Sequence, residues 1–277
     1  MRALSLAAAG LVALTLHASA QQPARKTPPK VRTPPPASRP ARPAAVPRVE
    51  AAVPFAVGET LTYDVAWSNY LVAGSAVTRV VEKRPSYNST AYYIVAEGKP
   101  IPLIARFYSV YYKMDSLLDS FSSLSQRTSL YTEEGTEKRS AVTLFNRGAK
   151  RASVEWKAGT QTKKDELIVP ANVQDGLATL YTLRGRTLRT GEKVSVPVTD
   201  NGTLYTVNFE VGAPEPITVP LGSITAWNLR VTILDATNQT VGSNVRAWIS
   251  TDARRLPVRL QADLPVGNFA LALRSAQ

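Results

Sequence analysis

The side chains best suited to catalysis and metal binding are almost missing from this chain. It has no cysteine among 277 residues, and its one histidine, His17, lies in an apolar N-terminal segment. If that segment is removed on export, the chain cannot form a Ser-His-Asp or Cys-His centre, a His- or Cys-based zinc site, or a haem site held by either residue. Only carboxylates, a Ser–Lys pair or an oxygen-ligated cation remain, and we predict no cofactor and no metal.

The remaining candidates do not form a catalytic motif. Asp165-Glu166 are adjacent, so on a strand their side chains point to opposite faces and cannot share one acid–base site. Asp115 and Asp119 could lie on one face if that stretch is helical, and two solvated loop acids are the simpler interpretation. Ser122-Ser123 and Lys163-Lys164 provide a serine and a lysine without a recognised spacing. We therefore predict a protein that is not an enzyme, with no catalytic residue.

Two groups of residues are candidates for binding a ligand. The turn of a C-terminal hairpin carries Trp248, Asp252, Arg254 and Arg255, which either contact a ligand or leave the arginines solvated or paired with Asp252. A second group is aromatic and either lines an apolar pocket or fills the core. It comprises Tyr108 and Tyr111 of an aromatic-rich run, together with Tyr181 on the apolar stripe of a predicted helix.

The N-terminus predicts export. Residues 1–20 combine a basic start, an apolar run too short to span a bilayer, and Ala18-Ser19-Ala20 as a small-x-small cleavage signal. We interpret them as a signal peptide cut near Ala20. The expected location is the bacterial periplasm or the periphery of the outer membrane, with the cleaved chain soluble there.

Residues 21–53 have the composition of a disordered linker. Residues 21–52 contain nine prolines, seven basic residues and one acidic residue. A segment of this composition cannot form a hydrophobic core or regular backbone hydrogen bonding. Much of the formal charge of +12 lies here. The linker either contacts an anionic surface or serves as a solvated spacer, and export argues against a nucleic-acid partner.

The rest of the chain, residues 54–277, has the pattern of a single β-rich domain. Short runs of alternating apolar and polar residues recur about every ten residues, separated by glycine-containing turns. Asn201-Gly202 between two such runs is a hairpin signal. Gly191-Glu192 repeats the Gly58-Glu59 that precedes an earlier strand, but two residues do not establish an internal repeat.

One helix is predicted near residues 172–184. Asn172 is a suitable N-cap, and Val173, Leu177, Leu180 and Tyr181 form an apolar stripe. Such a helix either packs against the sheet as part of the core or acts as a lid over a cavity. The fold class that follows is mainly β: a strongly curved antiparallel sheet or partly open barrel with one packed helix.

Four motifs in order carry a resemblance to a known family. They are PFAVGETLTYDVAW with GSAVTRV, then NVQDGLATLYTLRG, LRTGEKVSVPV and WISTDARRLPVRL. Together they resemble the domain-of-unknown-function 3108 family of exported bacterial envelope proteins, which implies an antiparallel β domain and no assigned activity. More loosely, the expected architecture looks like the periplasmic lipoprotein carriers, which bind acyl chains in a half-open barrel, although fold does not fix function.

Two functions from different classes follow from these observations. The first is a non-enzymatic envelope protein that binds a hydrophobic or amphipathic ligand, such as a lipid or another apolar small molecule, between sheet and helix. The alternative is a structural or assembly factor that binds another envelope protein through an exposed strand edge. A large apolar cavity favours the first function, and a filled interior with a free edge favours the second.

Overall fold

Alternating sequence runs become strands throughout the domain. The computed structural model describes residues 48–67, 71–107, 109–264 and 267–277. Its strands are β1 (Thr60–Trp67), β2 (Leu71–Ser86), β3 (Ser89–Pro100), β4 (Val110–Asp119), β5 (Ser125–Glu134), β6 (Glu137–Asn146), β7 (Arg151–Ala158), β8 (Gln161–Ile168), β9 (Lys193–Asp200), β10 (Thr203–Val219), β11 (Gly222–Leu234), β12 (Ser243–Ser250), β13 (Pro257–Leu264) and β14 (Gly267–Ala276). Two helices, α1 (Pro102–Ala105) and α2 (Gly176–Gly185), complete the fold.

All fourteen strands belong to one antiparallel sheet. Its order is β8-β7-β6-β5-β4-β3-β2-β1-β14-β13-β12-β11-β10-β9, so neighbours in the chain are neighbours in the sheet, and β1 pairs with β14. The two edge strands, β8 and β9, are not paired with each other, and the sheet is therefore not closed. This confirms the predicted mainly β class with a partly open, barrel-like architecture.

The two ends of the sheet nevertheless meet through side chains and one loop. Trp156 of β7 donates from Nε1 to Oδ1 of Asn201 in the β9–β10 turn (2.7 Å). Gln174, ahead of α2, pairs with β9: its N–H donates to Pro197 O (2.9 Å), and its carbonyl accepts from the N–H of Thr199 (2.8 Å). The loop before α2 thus satisfies backbone groups that an edge strand would otherwise expose.

Helix α2 lies inside the curve of the sheet and packs on both sides. Tyr181 and Leu177 contact Phe55, Val80, Ile94 and Leu118 on the side of β2–β4. Leu183, with Leu180, packs against strands β9–β13. The helix is therefore a core element, as predicted.

The helix begins later than the sequence pattern indicates. Its N-cap is Asp175, which accepts a hydrogen bond from the N–H of Ala178 (2.8 Å), and not Asn172. Gln174 pairs with β9, and Asn172 lies before it in a turn closed by the Val173 N–H, which donates to Pro170 O (3.1 Å). Val173 is buried, as the stripe required, but it lies in a separate cluster with Ala152 and Val169.

The Gly-Glu dipeptide that occurs twice in the sequence adopts the same local structure at both places. Gly58 and Gly191 both have positive φ, +95° and +83°. Gly58 N–H donates to Val80 O while Val80 N–H donates to Glu59 O, and Gly191, Val211 and Glu192 form the same pair of bonds. Each Gly-Glu therefore anchors the start of its strand to the second strand of the following hairpin.

The residues just before the domain contact the sheet. Within the last part of the predicted linker, Ala51 N–H donates to Ser120 O (2.8 Å), Glu50 pairs with Lys83, and the Arg48 guanidinium lies over the Phe121 ring. The predicted signal peptide and most of the predicted linker lie outside the described residues, so both remain predictions. No helix among the residues described has the length and apolar character needed to cross a membrane.

Candidate functional site

A large cavity lies between α2 and strands β9–β14. Its volume is about 550 Å³, and its walls are almost entirely apolar side chains. The strands contribute them by alternation: Tyr205, Val207 and Phe209 on β10 face the cavity, with Val231 and Ile233 on β11 beside them. The intervening Glu210 and Arg230 form an ion pair away from the cavity. Because successive side chains of a strand point to opposite faces, this part of the sheet has one apolar face, which borders the cavity.

Helix α2 forms the floor of the cavity. Gly176, Thr179, Leu180 and Leu183 line it, one turn after another. A Cβ on Gly176 would have no neighbouring residue within 4 Å, so the space beside the first turn of the helix is open. Val241, which is exposed, and Ala262 line the cavity where β11 and β13 approach their C-terminal ends. We call this part the mouth of the cavity.

A buried arginine fixes the C-terminal end of the helix. Arg184 has no solvent exposure, and its two terminal nitrogens donate to both carboxylate oxygens of Glu59 (2.6 and 2.7 Å). Its remaining donors reach the carbonyls of Arg254 and Arg255 (3.2 and 3.0 Å). Bidentate pairing with further hydrogen bonds is the arrangement in which a buried guanidinium is tolerated.

Aromatic rings enclose the same guanidinium. Its Cζ lies 5.0 Å from the centroid of Tyr181 and 5.4 Å from that of Phe55. The two rings meet edge to face at 5.0 Å. The helix is therefore tied at one point to the start of β1, to the β12–β13 loop and to the segment before β1.

A buried carboxylate fixes the N-terminal end. Asp175 accepts from Ser116 Oγ (2.7 Å) as well as from Ala178, and its own N–H donates to Ser125 Oγ (3.0 Å). Burial raises the pKa of Asp175 above its ordinary value, while these hydrogen bonds act in the opposite direction. With both ends bonded to strands, the floor of the cavity is held in place.

Asp200 is the acidic side chain at the cavity. It ends β9, in the same alternation as Val198, and lines the space near Gly176. The residue is exposed to solvent, yet surrounding protein atoms raise the pKa of its carboxyl group through desolvation. Asp200, Thr179, Arg246 and Gln261 are the polar side chains among mainly apolar walls, a composition typical of a site for an amphipathic molecule.

Residues 62–274 match the family model DUF3108, described as a protein of unknown function. The chain belongs to the DUF3108 family. A comparison with curated proteins returned no match.

Solved structures show a related fold. A β-barrel-like protein of the domain of unknown function DUF1849 from Brucella abortus is similar with a TM-score of 0.52 and 10% identity, over 80% of this chain and 97% of that one. An exported-protein candidate with a YmcC-like fold from Bacteroides fragilis gives a TM-score of 0.34 at 10% identity, over 83% and 100% of the two chains. The first likeness supports the barrel-like fold alone.

Three of the four DUF3108-like motifs converge on Arg184. The first contributes Phe55, Glu59 and Tyr63, and the helix motif contributes Arg184 itself. The C-terminal motif contributes the two carbonyls that Arg184 binds and the Pro257 carbonyl that accepts from the Tyr63 hydroxyl (2.9 Å). These motifs therefore hold the helix beneath the cavity, which is a structural role.

The predicted ligand-binding residues that the structure describes do not line the cavity. Tyr181 is buried, with its hydroxyl donating to Thr78 (3.3 Å) and its pKa raised to about 12 by burial. Trp248 is buried in another cluster, and its Nε1 donates to Glu215 (2.7 Å). Tyr111 donates to Glu97 (2.6 Å), a bond that raises its pKa to about 12. None of these three lines the cavity, and Tyr108 lies outside the described residues.

Asp252 and Arg255 form the predicted turn together. Asp252 accepts from Ser250 Oγ (2.7 Å) and from the Arg255 N–H (3.1 Å), while Arg255 has positive φ, +45°. The Arg255 carbonyl faces inward to Arg184. The pair thus shapes the loop that binds the helix arginine, and Trp248 does not join them in a common pocket. Their ligand binding remains untested.

The carboxylates considered for catalysis are engaged in structural bonds. Asp115 pairs with Arg127 (2.9 Å) and accepts from Ser129, and Asp119 accepts from the N–H groups of Phe121 and Ser122. Asp115 and Asp119 lie on a strand and its end, not on a helix. Across the part of the chain that the structure describes, no three His, Cys, Asp or Glu side chains come together as a metal site.

Sequence reasoning missed the cavity walls because they look like ordinary core. Val207, Phe209, Val231 and Ile233 alternate as any half-buried strand does, and only the three-dimensional arrangement leaves space in front of them. Asp200 carried a signal that could have been used. It falls in the apolar register of Val194, Val196 and Val198, where a carboxylate is out of pattern.

Proposed function

We propose that this DUF3108 protein binds a hydrophobic or amphipathic small molecule, such as a lipid, without catalysing a reaction. The observation that carries the proposal is the apolar cavity of about 550 Å³ between α2 and β9–β14. Ligand sites in proteins span roughly 300–1,000 Å³, with apolar walls and few polar groups. The apolar tail would lie against Val207, Phe209 and Leu260, and Asp200 would meet the polar end.

The size of the cavity limits the ligand class. An apolar cavity of about 150 Å³ accepts one benzene molecule, so by proportion the present volume has room for roughly twenty carbon atoms. That matches a single long acyl chain or a compact polycyclic molecule better than a two-chain phospholipid held entirely inside. Larger ligands would leave part of the molecule at the mouth, near Val241 and Ala262.

The cellular setting belongs to the same proposal. The N-terminal residues have the pattern of a signal peptide, and the absence of cysteine from the whole chain is compatible with an exported protein that needs no disulfide. We place the protein in the bacterial envelope, where apolar and amphipathic molecules must be shielded from water. A non-enzymatic role is supported by the engagement of Asp115 and Asp119 in structural bonds.

The alternative, an assembly factor that adds a partner strand, has weaker support. Strand β8 is an edge, and all its side chains except Leu167 are exposed. It carries Lys163 and Lys164, and charged residues on an edge strand, lysine above all, are how sheets prevent edge-to-edge pairing. The other edge, β9, is partly occupied by Gln174.

Mass spectrometry of solvent extracts is the first test. The protein is purified without detergent from its native envelope and extracted while a parallel sample is checked for folding. A stoichiometric lipid or other apolar molecule is the expected result. A clean extract from folded protein counts against constitutive carriage and directs attention to a protein partner.

A cavity-blocking variant supplies the second test. Ala262→Phe adds a ring at the mouth, while Ala270→Phe adds the same ring to β14 at a position that does not line the cavity. We expect Ala262→Phe to reduce binding of a fluorescent fatty-acid probe at least tenfold, with Ala270→Phe close to wild type. Equal binding by both variants, with circular dichroism unchanged, would exclude this cavity as the site.

A further inference from the structure

A short apolar segment between β3 and β4 projects from the sheet. Helix α1 has no buried residue; Leu103 is 63% exposed, and Phe107, just beyond the helix, is 87% exposed. Val72 is also exposed, and it adjoins this segment because the Ile101 N–H donates to Ala73 O (2.9 Å). Large apolar side chains grouped in this way mark an interaction surface more often than isolated ones do.

Basic residues flank the apolar side chains. From residue 98 to residue 114 the chain contains Lys99, Arg106 and Lys113 and no aspartate or glutamate. Lys99 and Arg106 are exposed, and neither forms an ion pair with any residue that the structure describes. The two acids that flank the segment in sequence are already bonded, Glu97 to Arg79 and Tyr111 and Asp115 to Arg127. Lys99 and Arg106 therefore place positive charge without an ion-pair partner beside the exposed apolar groups.

Strand register places this segment at the mouth of the cavity. Gly74 of β2 pairs with Pro100, two residues before α1. Val72, closer to the beginning of β2, pairs with Ala66 of β1. Ala66 pairs in turn with Ala270 of β14, next to Phe269, which lines the cavity. The β3–β4 segment and the mouth thus share one end of the sheet, whereas the Glu59–Arg184 pair lies towards the other.

We propose that the surface formed by Val72, Lys99, Leu103, Arg106 and Phe107, here called the rim surface, docks on an anionic lipid bilayer. Exposed leucine and phenylalanine enter the headgroup region, while lysine and arginine contact anionic headgroups. Docking in this orientation brings the cavity mouth against the bilayer. The proposal does not depend on the cavity ligand, because the surface binds membrane whether or not the cavity is filled.

The absence of cysteine allows a position-specific test. Phe107→Cys and, as the control, Ile168→Cys are labelled with an environment-sensitive NBD fluorophore in the chain from residue 21 onward. Ile168 is 79% exposed, comparable to Phe107, but ends β8. With vesicles of phosphatidylcholine and phosphatidylglycerol in equal parts, we expect a blue shift and brighter emission at 107 and no change at 168. No change at 107, or equal changes at both sites, overturns the proposal.

Vesicle flotation separates the rim surface from the basic N-terminal residues, which also attract anionic lipid. The double variant Lys99→Gln/Arg106→Gln should bind the same vesicles about 25-fold more weakly, and pure phosphatidylcholine should bind little wild-type protein. Leu103→Ser/Phe107→Ser should likewise lose binding, while Ile168→Ser should not. If both double variants float like wild type, membrane contact belongs to residues 21–53 and the rim surface has no part in it.

Discussion

Arg184 shows how one buried side chain can hold several elements of a fold together without lining the cavity. In the sequence it is one of three arginines at the end of a helix, where a cation is expected to complement the helix dipole. In the structure it is wholly buried against Glu59, two carbonyls and two aromatic rings. Its partner lies 125 positions earlier in the chain, a distance over which local pattern carries no information.

Removing the acidic partner should destabilise the fold strongly. In Glu59→Gln the guanidinium stays buried without a neutralising charge, so the free energy of unfolding should fall by about 3–5 kcal/mol. The matched control is Arg230→Met, which breaks the exposed pair with Glu210 and should cost ~1 kcal/mol or less. Urea denaturation measures both variants. Equal losses would mean that the buried pair contributes no more than a surface pair.

Asp175 predicts a specific pH dependence. Because burial raises its pKa above the ordinary 3.8, the folded state holds the proton more tightly than the unfolded state does. Its contribution to stability is therefore complete at acid pH and falls as pH rises from about 3.8 through the raised pKa. Asn at the same position still caps the helix but does not ionise.

The comparison with Asp175→Asn isolates that effect. Other carboxylates have lowered pKa values, such as Glu97 and Asp119, and act in the opposite direction in both proteins. The difference in the free energy of unfolding, wild type minus variant, should decrease as pH increases from 3.5 to 7. Urea midpoints across that range provide the measurement. A difference that stays constant or increases would show that hydrogen bonds outweigh desolvation at this site.

At the scale of elements, strands and the β9–β10 hairpin at Asn201-Gly202 were predictable, whereas the pairing of β1 with β14 was not. Period-two alternation indicates strands such as β5, β6 and β7 because it is a local pattern. The helix was also visible, but its start was misplaced because Gln174 pairs with β9, an interaction between segments that local propensity cannot register. The cavity depends on the distance between α2 and the strands opposite, which no alternation encodes.

The repeated Gly-Glu element illustrates the same limit. Both glycines need positive φ, at which other residues are strained, and that requirement is readable from the residue type. The two glutamates differ in burial: Glu59 is buried against Arg184, whereas Glu192 pairs with the half-exposed Arg186 at 3.2 Å. The backbone motif therefore follows from sequence, and the burial of its charge follows from the fold.

For the whole molecule, the gap between β8 and β9 is the feature that separates a barrel from an open sheet. Among the described residues, three contacts cross it: the pairing of Gln174 with β9, the packing of Trp156 on the β9–β10 turn, and Leu204 of β10 against the cluster that contains Ala152 of β7. Gly202 in that turn has φ of +81°, and a Cβ there would lie 2.1 Å from the Trp156 ring. The ring thus occupies space that only glycine leaves free.

Gly202→Ala tests whether this contact joins the two ends of the sheet. Alanine at positive φ costs about 1–2 kcal/mol by itself, and displacing the ring should add roughly 1–3 kcal/mol. Gly159→Ala is the control, since Gly159 has φ of +56° and open space around its Cβ, so it should show the backbone cost alone. In a Trp156→Ala background, the cost of Gly202→Ala should fall to that of Gly159→Ala, as measured by chemical denaturation. If it does not fall, the ring packing is incidental, and the two ends of the sheet are held by α2 and by the pairing of Gln174 with β9.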